Sequence, residues 1–356
     1  MKVALKGYYG MGNMGDEAIL SVIIKRLRRA NPNIEIFVFS KDPEETKRLH
    51  NVKAWKDPSL KNPIELIRAT LNLSKVDRLI IGGGGILYGK SLGLYCGLAL
   101  LAKLLGKKVE FYAVGVAPDI HSKILAINVK PTRPKNLLSR FLVPIVMNRV
   151  DSISVRDSFS KEVLKKAGVR REIKIVSDPA LDLEPIDPEK AKQLLMEAGI
   201  RKDDYFLVGL SLRRIPEQQI LQKIKEIIPQ IIDWLIENYS AKVVFIPFGK
   251  NKIMKFDDDR DFALELKKNV KNKDNFIILE LLKPEEIKGV IGQMDFLIGM
   301  RLHSIVFASS FKIPLIGLIY DVKAKSFLEE IGQPGIEVDN LELNRLKSLI
   351  KNLLEA

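Results

Sequence analysis

Along the chain, short runs of β-branched and aromatic residues alternate with stretches whose apolar positions recur every three or four residues. In the first half the runs fall at Val3–Lys6, Glu35–Phe39, Arg78–Ile81, Val109–Val114 and Ser152–Val155. Helical spacing fills the gaps, as at Asp16–Arg29 and Lys161–Ala167. The pattern stops at "SDPALDLEPIDPEK", rich in Pro and Asp and poor in apolar residues, which reads as a linker. It resumes at Phe206–Leu212, Val243–Pro247, Phe276–Leu279, Phe296–Ile298 and Leu315–Leu318. Repeated β-α alternation predicts parallel sheets covered by helices. The expected fold is therefore α/β, with two Rossmann-like domains whose parallel sheets face a central cleft. The expected boundaries are 1–180 and 190–340, followed by a C-terminal helix over 341–356, for which packing back on the first domain is one arrangement. A length of 356 residues suits two domains of ordinary size.

Charge changes this picture. The net charge is +14, and it is unevenly spread. Residues 1–180 carry 32 Lys and Arg against 16 Asp and Glu, while the remainder carries 26 against 28. The densest part lies between Asp119 and Asp151, with Lys123, Lys130, Arg133, Lys135, Arg140 and Arg149 and no acid. Such a surface attracts phosphates, nucleic acid or acidic headgroups, or serves solubility alone. Helical spacing from Asn136 brings Leu137, Arg140, Phe141 and Pro144 near one another, an interfacial pattern broken by a proline. No apolar run is long enough to span a bilayer, and "MKVALKGYYG" has no signal-peptide core. The one cysteine, Cys96, sits in "LGLYCGLALLA" and reads as a buried apolar residue. A cytoplasmic setting is expected.

In open parallel sheets ligands bind beyond the carboxyl ends of the strands, so residues just after strands carry the chemistry. Three stretches stand there. The first, "GYYGMGNMGDEAIL", matches G-x-G-x-x-G through Gly10, Gly12 and Gly15. Asp16 and Glu17 follow at once and would repel a pyrophosphate at the helix start. A dinucleotide site is thus disfavoured. The two carboxylates suit holding or deprotonating sugar hydroxyls, or simply capping the helix. The second, "DRLIIGGGGILYG", ends an apolar strand in four glycines, Gly82 to Gly85, where a ligand or a facing domain can approach the backbone. The third, "GMRLHSIVFASSF", puts Arg301 and His303 at a helix start. An arginine there is electrostatically wrong for the helix alone and right if an anion is bound. His303 beside it would have its charged form favoured and would serve as a proton donor.

Arg156 and Arg213 also follow strands. Arg156 has Asp157 as an obvious ion-pair partner, whereas Arg213 has no adjacent acid. Asp257, Asp258 and Asp259 read as a solvated helix start rather than a metal or hydroxyl site. His50 and His121 read as surface residues, and no Cys/His ligand cluster exists.

The motifs "GYYGMGNMGDEAIL", "GGGGIL", "SVRDSFSKEVLKKAGV", "VSDPAL", "GLSLR", "GMRLHSIVFAS" and "IPLIGLIYDVKAKSF" together resemble the polysaccharide pyruvyl transferase family, in its order and over most of the chain. The resemblance implies a two-domain fold like that of GT-B glycosyltransferases. It implies transfer of the pyruvyl unit of phosphoenolpyruvate to a sugar as a cyclic ketal, with no cofactor and no metal. Arg301, in the family's Arg-Leu-His motif, would clamp the donor, with Leu302 beside it, and His303 would protonate its methylene carbon. Asp16 or Glu17 would handle the acceptor hydroxyl, with Asn13 and Gly83, Gly84 and Gly85 lining the site. Arg213 and Arg156 would meet the other end of the donor. The implied partners are phosphoenolpyruvate and a sugar acceptor, lipid-diphosphate-linked in one form, with peripheral contact to an anionic membrane face and no specific nucleic acid. Departures fall on the acceptor side: "LYGKS" replaces a Gln-Asp-like pair, and Pro118 to Asn136 is longer than usual. Two other classes stay open: a nucleotide-sugar glycosyltransferase of the same shape, and a non-enzymatic basic anion-binding protein.

Overall fold

Apolar strands that are buried on both faces form the centre of each sheet. In β1 (Lys2–Lys6), Val3, Ala4 and Leu5 are fully buried, and the strand pairs in parallel with β2 (Glu35–Ser40) and β4 (Arg78–Gly82). A computed structural model describes residues 1–59, 62–87, 89–116, 137–250 and 258–355. The chain divides into two compact units. The first takes Met1–Met11 and the described residues from Asp16 to Asp182; the second takes Gly12–Gly15 and the described residues from Leu183 onward.

The first unit holds a seven-stranded parallel sheet in the order β3-β2-β1-β4-β5-β6-β7. The remaining strands are β3 (Lys53–Lys56), β5 (Lys108–Val114), β6 (Ser152–Val155) and β7 (Lys174–Ile175). Helices α1 (Met14–Ala30), α2 (Pro43–His50), α3 (Pro63–Ser74), α4 (Gly89–Leu104), α5 (Leu137–Met147) and α6 (Ser158–Lys166) connect them. Leu79, Ile81, Val109, Phe111 and Val155 lie in its core, with Cys96, whose thiol burial pushes up to about 12.

The second unit repeats the design with six parallel strands in the order β10-β9-β8-β11-β12-β13. These are β8 (Phe206–Ser211), β9 (Ala241–Phe245), β10 (Phe276–Ile278), β11 (Phe296–Gly299), β12 (Leu315–Ile319) and β13 (Gly335–Glu337). Its helices are α7 (Pro188–Glu197), α8 (Gln218–Tyr239), α9 (Asp259–Lys267), α10 (Pro284–Ile291), α11 (Leu302–Ser310), α12 (Val322–Glu330) and α13 (Leu343–Leu354). Val208, Phe245, Phe296, Ile298 and Ile316 form the core. The C-terminal helix α13 adds Leu346 and Ile350 to that same core and packs on α8, so its apolar face is spent on the second unit.

All ten strands read from the apolar runs are present. The three not read, β3, β7 and β13, are edge strands of two to four residues, and β7 is exposed at both of its residues. β3, "KAWK", is held instead by Trp55, which stacks on Phe37 at 4.5 Å between ring centres. Among the described residues no helix is long and apolar enough to cross a membrane. His121, Lys123, Ile124, Leu125, Lys130, Arg133, Lys135 and Asp257 lie outside the described residues.

Candidate functional site

Both sheets reverse their strand order at one point, between β1 and β4 in the first unit and between β8 and β11 in the second. Such switch points leave a crevice beyond the strand ends, where ligands bind. The loops that open there carry the residues singled out in the sequence.

In the first unit, the loop after β1 runs into α1, and the glycine run follows β4. Asp16 is buried in the first turn of α1 and packs on Gly84. Gly84 has φ +73°, and a Cβ there would overlap the Asp16 carboxylate, so both conformation and space demand glycine. The run is stitched to the loop after β5: Gly115 N–H donates to the Gly84 carbonyl at 2.8 Å, and Gly83 N–H to that of Tyr112 at 3.2 Å. Tyr9 O–H donates to the Gly82 carbonyl at 2.6 Å. Burial holds that hydroxyl well above its usual range, and the Asp16 charge adds to the effect. Gly85 lies beside Gly115 in the same stitched turn.

Glu17 has a different task from its neighbour. It accepts from Gly10 N–H at 2.8 Å, and its other oxygen lies 2.7 Å from His50 Nε2. His50 is buried, not a surface residue, and its Nδ1 lies 3.3 Å from Ser21 Oγ. Local polarity hid this, because the partner is 33 positions away. Arg156, after β6, is buried and donates to Asp178 at 2.7 Å; Asp157 stands farther off, at 4.0 Å, and caps α6. Burial opposes the Arg156 charge, but Asp178 and Asp157 outweigh it, with Asp16 contributing, and hold the guanidinium above its ordinary range. Asp178, in the segment read as linker, is thus part of this constellation. At the end of β1, Lys6 is buried against Asp57 at 2.8 Å, and burial pulls its ammonium below the usual range.

In the second unit, Arg213 follows β8 and Arg301 follows β11. The two segments are tied together: Met300 N–H donates to the Ser211 carbonyl at 2.7 Å, and Arg213 N–H lies 3.5 Å from the Met300 sulfur. Arg301 is the N-cap of α11. Its guanidinium is buried and fixed by Asp259, Nε donating to Oδ2 at 3.0 Å and Nη2 to Oδ1. Asp259 Oδ2 also accepts from Phe248 N–H at 3.0 Å. The run read as a solvated helix start therefore divides: Asp258 caps α9, accepting from Arg260 and Asp261 N–H, and Asp259 turns inward.

Tyr320, just after β12, was missed in the sequence. It is buried, its ring centre lies 5.5 Å from the Arg213 guanidinium, and Arg213 hydrogen-bonds its hydroxyl. Burial raises the Tyr320 hydroxyl above its usual range and Asp321 adds to that, while Arg213 and Arg301 oppose it. Both arginines therefore project charge onto one point. Its signal was the tyrosine directly after an apolar strand in "PLIGLIYD".

His303 is buried in the first turn of α11, one helical position after the half-buried Leu302. The segment Gly12–Gly15 belongs to this unit. Met14 N–H donates to the Phe248 carbonyl at 2.8 Å, Lys250 N–H to that of Gly12 at 2.9 Å, and Asn13 bridges to Gly249. Asn13 Oδ1 accepts from Gly15 N–H at 3.1 Å. Gly15 is pressed against the His303 ring, and a Cβ on it would overlap Nδ1. The G-x-G-x-x-G pattern thus ends in a glycine that makes room for an imidazole, not a pyrophosphate.

Several solved structures share the fold of this chain at low identity. The UDP-GlcNAc 2-epimerase from Methanocaldococcus jannaschii matches with a TM-score of 0.65 at 15% identity, covering 100% of this chain and 93% of that one. The E. coli ADP-heptose lps heptosyltransferase II matches at 0.51 and 13%, covering 100% and 99%. Both likenesses concern the fold: two parallel-sheet α/β domains of the glycosyltransferase and epimerase kind. Among curated proteins, the amylovoran biosynthesis protein AmsJ of Erwinia amylovora is 22% identical over 375 residues, 95% of this chain and 88% of that protein. The family model for polysaccharide pyruvyl transferase matches residues 13–322. That span takes in Asp16, the glycine run, Arg156 with Asp178, and Arg213, Asp259, Arg301, His303 and Tyr320. With most of its length matched, the chain belongs to the polysaccharide pyruvyl transferase family, enzymes that act on a polysaccharide.

Proposed function

We propose that this enzyme moves the pyruvyl unit of phosphoenolpyruvate onto a sugar of a cell-surface polysaccharide or its lipid-linked precursor, forming a pyruvate ketal and releasing phosphate. The observation that carries the reading is the second unit's strand-end cluster: Arg213 and Arg301, oriented by Tyr320 and Asp259, with His303 buried in the first turn of α11. Asp259 engages the Nε–Nη2 edge of Arg301 and so fixes the plane of a group that carries five N–H donors. A fixed guanidinium suits a small donor bearing a carboxylate and a phosphate.

The steps follow from the donor's chemistry. His303 gives a proton to the methylene carbon, which becomes a methyl group. A sugar hydroxyl adds to the adjacent carbon and gives up its proton. Phosphate leaves with the C–O bonding pair, and a second hydroxyl adds to the same carbon to close the ketal, its proton passing to the released phosphate. The arginines meet charge that develops on the donor during this sequence. The acceptor is assigned to the first unit, where Asp16 would orient its hydroxyl and Arg156–Asp178 would hold that carboxylate's surroundings, while Glu17 is occupied with Gly10 and His50. A lipid-linked acceptor would bring the enzyme to the inner face of the membrane as a peripheral protein. The name of the Erwinia relative supports a place in exopolysaccharide synthesis.

The test is phosphate release from phosphoenolpyruvate, dependent on an added sugar acceptor. A thermal-shift panel separates the alternative that the heptosyltransferase-like fold favours: stabilisation by nucleotide sugars and not by phosphoenolpyruvate would replace this reading with glycosyl transfer. Cationic side chains supply the donor's counter-charge, so activity is expected to survive chelation by EDTA. Loss restored by a divalent ion would bring a metal into the donor site.

Gly15→Ala gives a sharper check. In an ordinary helix that change would gain about 0.5–1 kcal/mol. Here the new methyl would displace the His303 ring, and misplacement of a reacting group by about 1 Å costs roughly a hundredfold. Turnover is therefore expected to fall by about that factor, read in steady-state kinetics. Unchanged turnover would mean that the ring's position is irrelevant to the reaction.

A further inference from the structure

A groove of about 550 Å³ opens on the first unit where α5 ends and the segment after α6 returns beside it. Three arginines, Arg149, Arg170 and Arg171, line it together with Ile145, Asn148 and Gly168. All three precede β6 or β7 in the chain, whereas the proposed catalytic residues follow strands. The groove is built rather than incidental. Asn148 Oδ1 accepts from the N–H groups of Arg170 at 2.8 Å and Arg171 at 3.1 Å, and its Nδ2 donates to the Gly168 carbonyl at 3.2 Å. One amide thus clamps the arginine segment to α5. Gly168, at φ +92°, makes the turn that lets it pass close to Pro144.

The guanidinium groups of Arg149 and Arg171 are held by carbonyls, not by carboxylates. Arg149 donates to the Ile145 carbonyl at 2.7 Å, and Arg171 to that of Asp151. The Asp151 carboxylate feels the Arg171 charge, yet it is taken up by Val109 N–H at 2.7 Å and Lys103 at 3.0 Å. Among the described residues none of the three arginines forms an ion pair. Glu172 follows Arg171 but does not line the groove. Beside these charges stand two large apolar side chains in water: Phe141, 62% exposed, and Ile145, 44% exposed. They are four residues apart on α5, with Arg149 four further on, so they run down one side toward the groove.

We infer that this face docks on an anionic phospholipid bilayer, headgroup phosphates entering the arginine groove while Phe141 and Ile145 sink into the interface. Charge complementarity selects the occupant. The 32 basic against 16 acidic residues of positions 1–180 favour an anionic partner, and exposed aromatic and aliphatic groups beside arginines favour one with an apolar layer beneath its charge. The inference names the surface for the membrane contact of the proposed function and rests on that reading only for its purpose, because docking requires no turnover.

The full chain is floated with vesicles of phosphatidylcholine, alone or with about one-third phosphatidylglycerol, at ~0.15 M salt. Binding is expected only with the anionic lipid. Arg149→Gln, Arg170→Gln and Arg171→Gln combined should weaken it about a hundredfold, and Phe141→Ser with Ile145→Ser about tenfold, at unchanged Tm. Pyruvyl transfer to a water-soluble acceptor should be unaffected in both variants, so failure of docking and failure of the proposed reaction are told apart. Equal flotation of wild type and both variants would overturn the inference. So would saturable binding of inorganic phosphate with no flotation on either vesicle, which marks a small-anion site, or binding to duplex DNA that the arginine variant loses while vesicle binding stays absent.

Discussion

His303→Ala is expected to lower turnover of phosphoenolpyruvate by roughly 10²–10⁴-fold while leaving donor affinity within a few-fold of wild type. The reason lies in what a general acid does. The enol ether-like double bond of the donor reacts with a hydroxyl only as its methylene carbon gains a proton, so the acid acts in the transition state and contributes little to ground-state binding. In the proposed reaction clamping would fall instead to Arg213 and Arg301, whose segments are tied to each other through Met300 independently of the ring. The split between the two kinetic parameters separates this role from a packing role. The ring is buried, so its loss leaves a small void near Gly15, which would lower stability without selecting kcat over KM. His303→Asn fills part of that space and cannot deliver a proton with comparable ease. It should therefore recover Tm and not turnover. Near-normal turnover in either variant would assign the proton to another group.

The fold was legible wherever strands are buried on both faces, since such strands must be continuous apolar runs. It was illegible at β3, β7 and β13, which pair on one side only and need little apolar content. The site was legible as positions and less so as partnerships. Strand-end placement marked Arg213, Arg301 and His303 from sequence alone. What it could not mark was the carboxylate 42 positions away that fixes Arg301, or the one 22 positions away that fixes Arg156. "FDDDRDF" offers three adjacent acids with the same local chemistry, and only tertiary packing decides which caps the helix and which turns inward. His50 and Asp178 were misread for the same reason: each sits in polar local sequence and is buried by a distant partner. Glu17 and Asp16 are neighbours with one composition and two tasks, separated by which of them Gly84 makes room for.

Asp259→Ala is expected to destabilise the second unit more than any other single acid-to-alanine change discussed. The carboxylate is 1% exposed and holds the buried Arg301 guanidinium by two bonds, and it also receives Phe248 N–H. Removing it leaves a buried cation and a buried N–H without their acceptor, and breaking such a pair from one side costs about 3–5 kcal/mol. For a unit of this size that corresponds to a fall in Tm of about 10 °C. Asp258→Ala, one residue earlier, is the natural control, because it removes a helix cap worth about 1 kcal/mol and leaves Arg301 untouched. The effect on function should follow from the same bonds. Without Asp259 the Arg301 plane is no longer set, so KM for the donor should rise well before the protein unfolds. Asp259→Ala and Arg301→Ala combined should cost less stability than the sum of the two, since the second change removes the charge that the first strands. The ordering decides the matter: if Asp258→Ala costs more than Asp259→Ala in chemical denaturation, or if the two changes at Asp259 and Arg301 simply add, then the pair does not anchor the donor loop, and the orientation of Arg301 must come from the packing of α11 alone.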